Sequence, residues 1–270
     1  MLERFLKIPI NPVFLSEYKL KSAIQVCLKQ VSFKGKCCLD VGCGERQYEY
    51  LFRGGKYFGI DVVISGREKK QKLPDVFYDG SLLPFQDNKF DLVLSTQVFE
   101  HVKNPFALMR ELHRVCKPGG LIILTVPFVF PEHEKPFDFF RFSEHGAKQL
   151  YYDNDMVIEY LAKDSNEIDV ITTIISLYVV SNLAPKIPGF RRLIALFICF
   201  PVQLLGLLLS VILPNSGDLY LNIVLMGKKN GVDFSKTSSC YNPSNMKKCG
   251  LCDACLLRKK GFDEANLDDS

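Results

Sequence analysis

The sequence predicts an α/β fold built on a mostly parallel, seven-stranded sheet with helices on both faces. Three observations predict it. Short apolar runs of strand length alternate with segments of helical periodicity from Lys36 to Val126, the pattern of βαβ units with right-handed crossovers. The first run ends in a glycine turn, Gly42-Cys43-Gly44. The run Leu121 to Val126 is apolar without interruption, as a strand covered on both faces must be.

Each element has its own signal. Leu20, Ile24, Cys27, Leu28 and Val31 recur at helical spacing, so a helix capped by Ser16 is expected to run to about Val31. Strand one is Lys36 to Val41, and a helix is expected to begin near Arg46. Strand two is Tyr57 to Asp61, strand three Asp75 to Tyr78, and strand four Phe90 to Ser95. A helix from Pro105 to Cys116 stops at the turn Lys117-Pro118-Gly119-Gly120, where proline and glycine break it before strand five. A helix from Ser143 to Tyr152 and a strand from Met156 to Leu161 follow. Two apolar segments, Ile168 to Ala184 and Leu193 to Leu213, precede a last strand from Leu219 to Gly227. The expected organisation is a helical segment over 1–35, a main domain over 36–229 with an apolar helical insert at 166–213, and a polar tail over 230–270.

The 270 residues, 47% hydrophobic and 24% charged, suffice for one large α/β domain and a small appendage. A net charge of +4, spread without an arginine-rich block, argues against nucleic acid as a partner. Arg191-Arg192 and Lys228-Lys229 flank the apolar region and favour an anionic surface. Of the ten cysteines, Cys37, Cys38 and Cys43 sit in or beside a buried strand and Cys240, Cys249, Cys252 and Cys255 cluster near the C-terminus, while residues 1–7 lack a signal peptide's apolar core. A reducing, cytoplasmic setting is the expectation.

A glycine turn after strand one lets backbone amides approach a ligand. Asp61, 19 residues after Gly42, ends strand two where an acid can accept both ribose hydroxyl protons. These features alone also fit a dinucleotide site, although Gln47 stands where that fingerprint has its third glycine. The wider pattern separates the two. Leu39 to Gly44, Tyr57-Phe58-Gly59-Ile60-Asp61, Asp79-Gly80-Ser81-Leu82-Leu83-Pro84-Phe85, Phe90-Asp91-Leu92-Val93 and Glu111 to Gly120 stand in order over roughly 36–127. Together they resemble the type 11 family of class I, Rossmann-like methyltransferases that use S-adenosylmethionine (SAM). The resemblance implies that Asp40, Gly42, Cys43 and Gly44 shape the methionine end of a SAM pocket. It implies that Asp61 holds the ribose, Asp79 the adenine amino group, and Gly80 and Ser81 the ring, with Ser95, Thr96 and Gln97 closing the pocket. An aspartate capping its own turn is the competing reading of Asp79.

SAM carries its methyl group on a sulfonium, so the protein mainly aligns the acceptor and takes its proton. The candidate bases are His133, His101 and Glu100. Glu100-His101 follows strand four at the sheet's carboxyl edge, where ligands gather in such folds; a pocket-lining role competes with a catalytic one for His101. His133 lies in Pro131 to Phe142, which resembles the acceptor-side loop of methyltransferases associated with bacterial surface polysaccharides. A loop stitched by Asp138 and Arg141 is the plainer reading.

Leu193 to Leu213 is long and apolar enough to cross a membrane, with Gln203 its only strongly polar side chain. One crossing would strand the last strand on the far side, and Pro201 and Gly206 interrupt the helix. A hairpin covering the sheet or dipping into a membrane face is expected instead, giving peripheral contact at the inner face.

Cys240, Cys249, Cys252 and Cys255 place four thiolates in sixteen residues, the spacing of a closed tetrahedral zinc site. The surrounding string, Ser239 to Ala265, resembles the C-terminal zinc segment of 7-cyano-7-deazaguanine synthase, whose ATP-binding loop is not found in this sequence. A structural zinc knob, a docking module for deazapurine or tRNA partners, and a fusion remnant remain open. Three functions follow: a SAM-dependent methyltransferase acting on oxygen of a saccharide or lipid-linked glycan; a methyltransferase of deazapurine or RNA metabolism; and a non-catalytic zinc-bearing scaffold.

Overall fold

The structure is a computed structural model of the chain, describing residues 13–29, 31–63, 73–183, 191–230 and 252–264. Two units make it up, Met1–Asn230 and Gly231–Ser270. The first holds helix α1 (Phe14–Leu28), strands β1 (Cys37–Val41), β2 (Lys56–Val62), β3 (Val76–Tyr78) and β4 (Phe90–Thr96), helix α2 (Pro105–Val115) and strand β5 (Cys116–Pro127). Helix α3 (Glu144–Tyr152), strand β6 (Met156–Lys163), helices α4 (Glu167–Tyr178), α5 (Arg191–Ile194) and α6 (Phe200–Ile212), and strand β7 (Asn222–Lys229) complete it. The second unit contains α7 (Asp253–Glu264).

The sheet runs β3-β2-β1-β4-β5-β7-β6. β1 to β5 pair in parallel, and β7 lies antiparallel between β5 and β6. Successive side chains of a strand point to opposite faces, and the core divides accordingly. Leu39, Val41, Val93, Ile122 and Leu124 pack with Leu108, Met109 and Leu112 of α2 and Leu150 of α3. Cys38, Leu92, Leu94 and Ile123 pack on the other face with Leu20, Ile24, Cys27 and Leu28 of α1.

The seven-stranded, mostly parallel architecture expected from the sequence is present. Three local expectations need correction. Ser16 is not a cap: α1 starts at Phe14 after Val13, without a side-chain cap. Ser16 is buried and meets the Asn222 amide at 3.5 Å, so a tertiary partner claims the hydroxyl. No α-helix begins near Arg46, where the chain makes turns and a single 3-10 turn, Glu49–Phe52. Arg46 adopts φ +56°, outside helical backbone, and its guanidinium is drawn to Asp75 at 2.6 Å and Glu49 at 3.0 Å. Lys117 to Gly120 does not separate α2 from β5 but bulges within the strand, with Gly119 at φ +75° and Cys116 already paired to Phe90.

Candidate active site at the carboxyl edge of the sheet

β1 and β4 are neighbours whose crossovers leave in opposite directions, which opens a crevice beyond their carboxyl ends. A cleft of about 900 Å³ lies there, within the usual size for a small-molecule site. Gly42, Cys43, Gly44, Asp61, Thr96 and Gln97, all expected from the sequence, line it. Gly42 turns the chain at φ +73°, and a Cβ at that position would fall 2.3 Å from a Val98 methyl, so no larger residue fits without displacing β4's extension. Asp61 accepts the Gly44 amide at 3.1 Å and the Val62 amide at 2.7 Å. Each carboxylate oxygen has a second lone pair, so Asp61 can hold the glycine turn and still accept hydroxyls from a ligand. Gln97 sits at φ +53°, an unusual backbone for a residue with a side chain, held by its amide to Thr125 O and its carboxamide to Thr125 Oγ1.

Other expected residues lie off the cleft lining. Asp40 is fully buried beneath the turn, accepting the Tyr57 hydroxyl at 2.7 Å, and burial pushes its pKa up to about 7. Ser95 is also buried and donates to Val41 O, tying β4 to β1. Asp79 accepts both the Ser81 amide and hydroxyl, capping its own turn, and those bonds hold its pKa low. That turn leads into a loop fastened by α2: Arg114 binds Leu83 O, Phe85 O and Asp87, while Glu111 takes the Leu83 amide.

Sequence reasoning missed the contribution of α1, whose Ser16, Glu17, Leu20 and Lys21 line the cleft, and of Phe130 and Asn222. A helix before strand one carries no motif, and its place over the cleft follows only from packing.

The acceptor-side expectation brings three residues together. The 3-10 turn Phe99–His101 presents Glu100 and His101 beyond β4, and the loop after β5 carries His133 to them. The rings of His101 and His133 are 4.7 Å apart, and His133 also lines the cleft. Glu100 is fully buried, its carboxylate has no hydrogen-bonding partner outside its own residue among the described residues, and burial pushes its pKa up to about 8. His133 is lowered by burial and by the neighbouring His101. Asp138 and Arg141 form a two-pronged pair at 2.6 and 2.7 Å that holds Asp138 well below the usual carboxylate range. Arg141 also donates to Phe130 O and Pro131 O, and Asp138 takes the His133 amide at 2.8 Å. The stitched loop and the candidate base are therefore one structure.

Of the expected zinc ligands, Cys240 and Cys249 lie outside the described residues. Cys252 immediately precedes α7 and Cys255 is buried in it, with the Leu256 amide bonded to Cys252 O at 3.0 Å.

Residues 39–124 match the family described as "Methyltransferase domain", and residues 220–266 match "Queuosine biosynthesis protein QueC". The second match begins two residues ahead of β7 and so takes in that strand of the sheet. A methyltransferase of Mycobacteroides abscessus, itself uncharacterized, is 36% identical over 107 residues, 35% of this chain and 41% of that protein. A 7-cyano-7-deazaguanine synthase of Leptospira interrogans is 57% identical over 47 residues, 17% of this chain and 19% of that protein. The chain thus spans about a fifth of the synthase and about two fifths of the methyltransferase. A solved S-adenosylmethionine-dependent methyltransferase of Mesorhizobium loti superposes with TM-score 0.47 at 11% identity, covering 81% of this chain and 98% of that one.

Proposed function

From residues 39–124, which are a methyltransferase domain on a Rossmann-like sheet, we propose that the chain binds SAM in the cleft and transfers its methyl group to an acceptor oxygen. The observation that carries this is the meeting of the Gly42–Gly44 turn, Asp61 and Gln97 at the switch point between β1 and β4. The residues fit the cofactor: backbone amides and glycines at one end, a carboxylate with spare lone pairs for a ribose, and a cleft of sufficient volume.

When bound, SAM supplies an electrophilic methyl group on a positively charged sulfur. The chain's own work is to exclude water, align the acceptor and remove its proton. His133 borders the cleft with its ring against His101, and is the residue we assign to that proton. The Asp138–Arg141 pair positions it.

The acceptor we infer is a saccharide or lipid-linked glycan, and the support comes from the apolar hairpin. α4 and the continuous helical run Arg191–Ile212 turn Asp169, Thr172, Thr173, Ser176 and Gln203 inward, while Ile171, Ile175, Phe197, Leu208, Val211 and Ile212 are exposed. Ala195–Ile212 is long and apolar enough to cross a membrane, yet β7 returns to the sheet directly after it. A hairpin lying in a membrane face satisfies both facts. A second reading, methylation in deazapurine or RNA metabolism, is favoured by the match of residues 220–266 alone; there the zinc-bearing tail would dock the partner.

Calorimetric titration with SAM tests the reading. Binding is expected in the parent, weakened at least about tenfold in Asp61→Ala, the loss of two or more charge-assisted hydrogen bonds. A parent that takes up no SAM overturns the proposal and leaves a non-catalytic scaffold.

A further inference from the structure

The cluster of Glu100, His101 and His133 has an arrangement that a proton-abstracting pair does not need. The ligand atoms of the three side chains all lie within 4.8 Å of one another, with His101 Nε2 3.8 Å from Glu100 Oε1. His101 Nδ1 sits 2.7 Å from Phe137 O, and His133 Nδ1 3.2 Å from Pro131 O. A carbonyl only accepts, so each Nδ1 donates, and in the neutral imidazole each Nε2 then keeps its lone pair. Fixing one ring nitrogen by a backbone carbonyl so that the other presents a lone pair is how proteins orient histidines for a metal. The third donor is the buried Glu100 carboxylate, unpartnered beyond its own residue, and His101 Nε2 is likewise without a hydrogen bond. A buried carboxylate left without a partner is expensive. A divalent cation between the three groups would satisfy all of them.

We propose that Glu100, His101 and His133 bind a divalent transition-metal ion at the mouth of the cleft, leaving coordination positions open toward the acceptor. Two imidazoles and one carboxylate match the donor sets of catalytic zinc and of other open transition-metal sites. Bonds of about 2.0–2.1 Å need donors roughly 3.3–3.5 Å apart, so the three groups draw together on binding. Asp138, itself held by Arg141, takes the His133 amide and so fixes the backbone from which the ring reaches the site. The ion's role rests on the methyltransferase reading: an acceptor hydroxyl bound to it is more acidic and gives its proton to solvent water, so that His133 serves as a ligand and is not needed as the base. The ligand chemistry implied for the acceptor is a hydroxyl, or two adjacent hydroxyls, as on a sugar ring.

The full chain, stripped of metal and titrated with Co²⁺, tests this without SAM. Expected is about one equivalent of cobalt with visible ligand-field bands and no thiolate character, separate from any equivalent with a thiolate charge-transfer band that the tail cysteines take up. That equivalent should persist in Cys252→Ser and disappear in Glu100→Gln and in His133→Asn. The His133 variant changes a loop side chain that is 27% exposed, so it guards against loss of signal through misfolding; near-ultraviolet circular dichroism should match the parent. If the parent's only cobalt signal is a thiolate band that Cys252→Ser removes, or if His133→Asn takes up as much as the parent, the site does not exist. Cobalt binding in a protein that ignores SAM would leave the metal site standing and overturn the cofactor reading instead.

Discussion

Helix α2 and the hairpin of α4 and α6 bury opposite kinds of residue. In α2, Leu108, Met109, Leu112 and Val115 face the sheet while Arg110 faces outward. In the hairpin most inward residues are polar or small, Asp169, Thr172, Thr173, Ser176, Gln203 and Gly206 beside a single Val170, and the outward ones include isoleucine, leucine, valine and phenylalanine. The inward polar groups are largely satisfied within the protein: Asp169 pairs with Lys19, Thr172 and Ser176 bond back to Ile168 O and Thr172 O, and Gln203 accepts the Leu15 amide. Gly206 lets the helices close, since a Cβ there would meet Thr172 Oγ1 at 2.5 Å. The difference is the one expected if, as proposed above, two helices of one domain face two surroundings. α2 is held by removal of apolar surface from water, whereas the hairpin is held by close packing of small and polar residues, as helices in lipid are.

Leu112→Ala should break the first arrangement with the largest effect. Leu112 is fully buried in the α2 face of the core, so its truncation costs roughly 2–5 kcal/mol, measured as a drop in the urea midpoint. A cost near zero would mean that α2 is not held by burial, and the contrast would lose one side.

The next effect sharpens the comparison through its buried acids. Asp169 has a lysine; Asp40 has only the Tyr57 phenol, and burial raises it to about 7. A carboxyl raised in the folded state binds its proton more tightly there than unfolded, so its contribution is full below about pH 4 and lost as pH rises to about 7. Asp40→Asn should therefore abolish a decline in unfolding free energy on the order of 4 kcal/mol across that window. An unchanged slope in the variant would show that Asp40 is ionised and stabilised by something other than Tyr57.

Much of this was legible in the residues. Parallel buried strands read as apolar runs, and the turn at Gly42 announces itself, so the sheet could be drawn before its order was known. The Asp138–Arg141 pair was readable because three residues separate its partners. Long-range partners decided the rest. Arg46 leaves the expected helix for Asp75, 29 residues away, and Ser16 leaves its cap for Asn222, 206 residues away. Glu100 and His101 could be proposed as bases, and so could His133, but that they form one cluster depends on the path of the loop after β5. The composition of the hairpin was plain; which face each residue takes was not, because Lys19 and Leu15 from α1 claim Asp169 and Gln203.

The smallest effect on stability carries the strongest test of the comparison. Leu208 is 58% exposed on α6, on the same outward surface as Val211 at 85% and Ile212 at 75%. If that surface meets lipid, Leu208→Glu changes little in the lipid-free protein, within about 0.5 kcal/mol in a urea melt. It should nevertheless cut flotation with phospholipid vesicles at least about tenfold, since a carboxylate in place of a leucine must leave the acyl region or carry its hydration into it. The two readouts separate the possible surroundings. A loss of several kcal/mol without lipid would show that the face is already covered in the free protein, as it would be by a second copy. A parent that never floats would place the hairpin against something other than a bilayer, and its inverted pattern would then have to be matched by a protein surface of equal apolar extent.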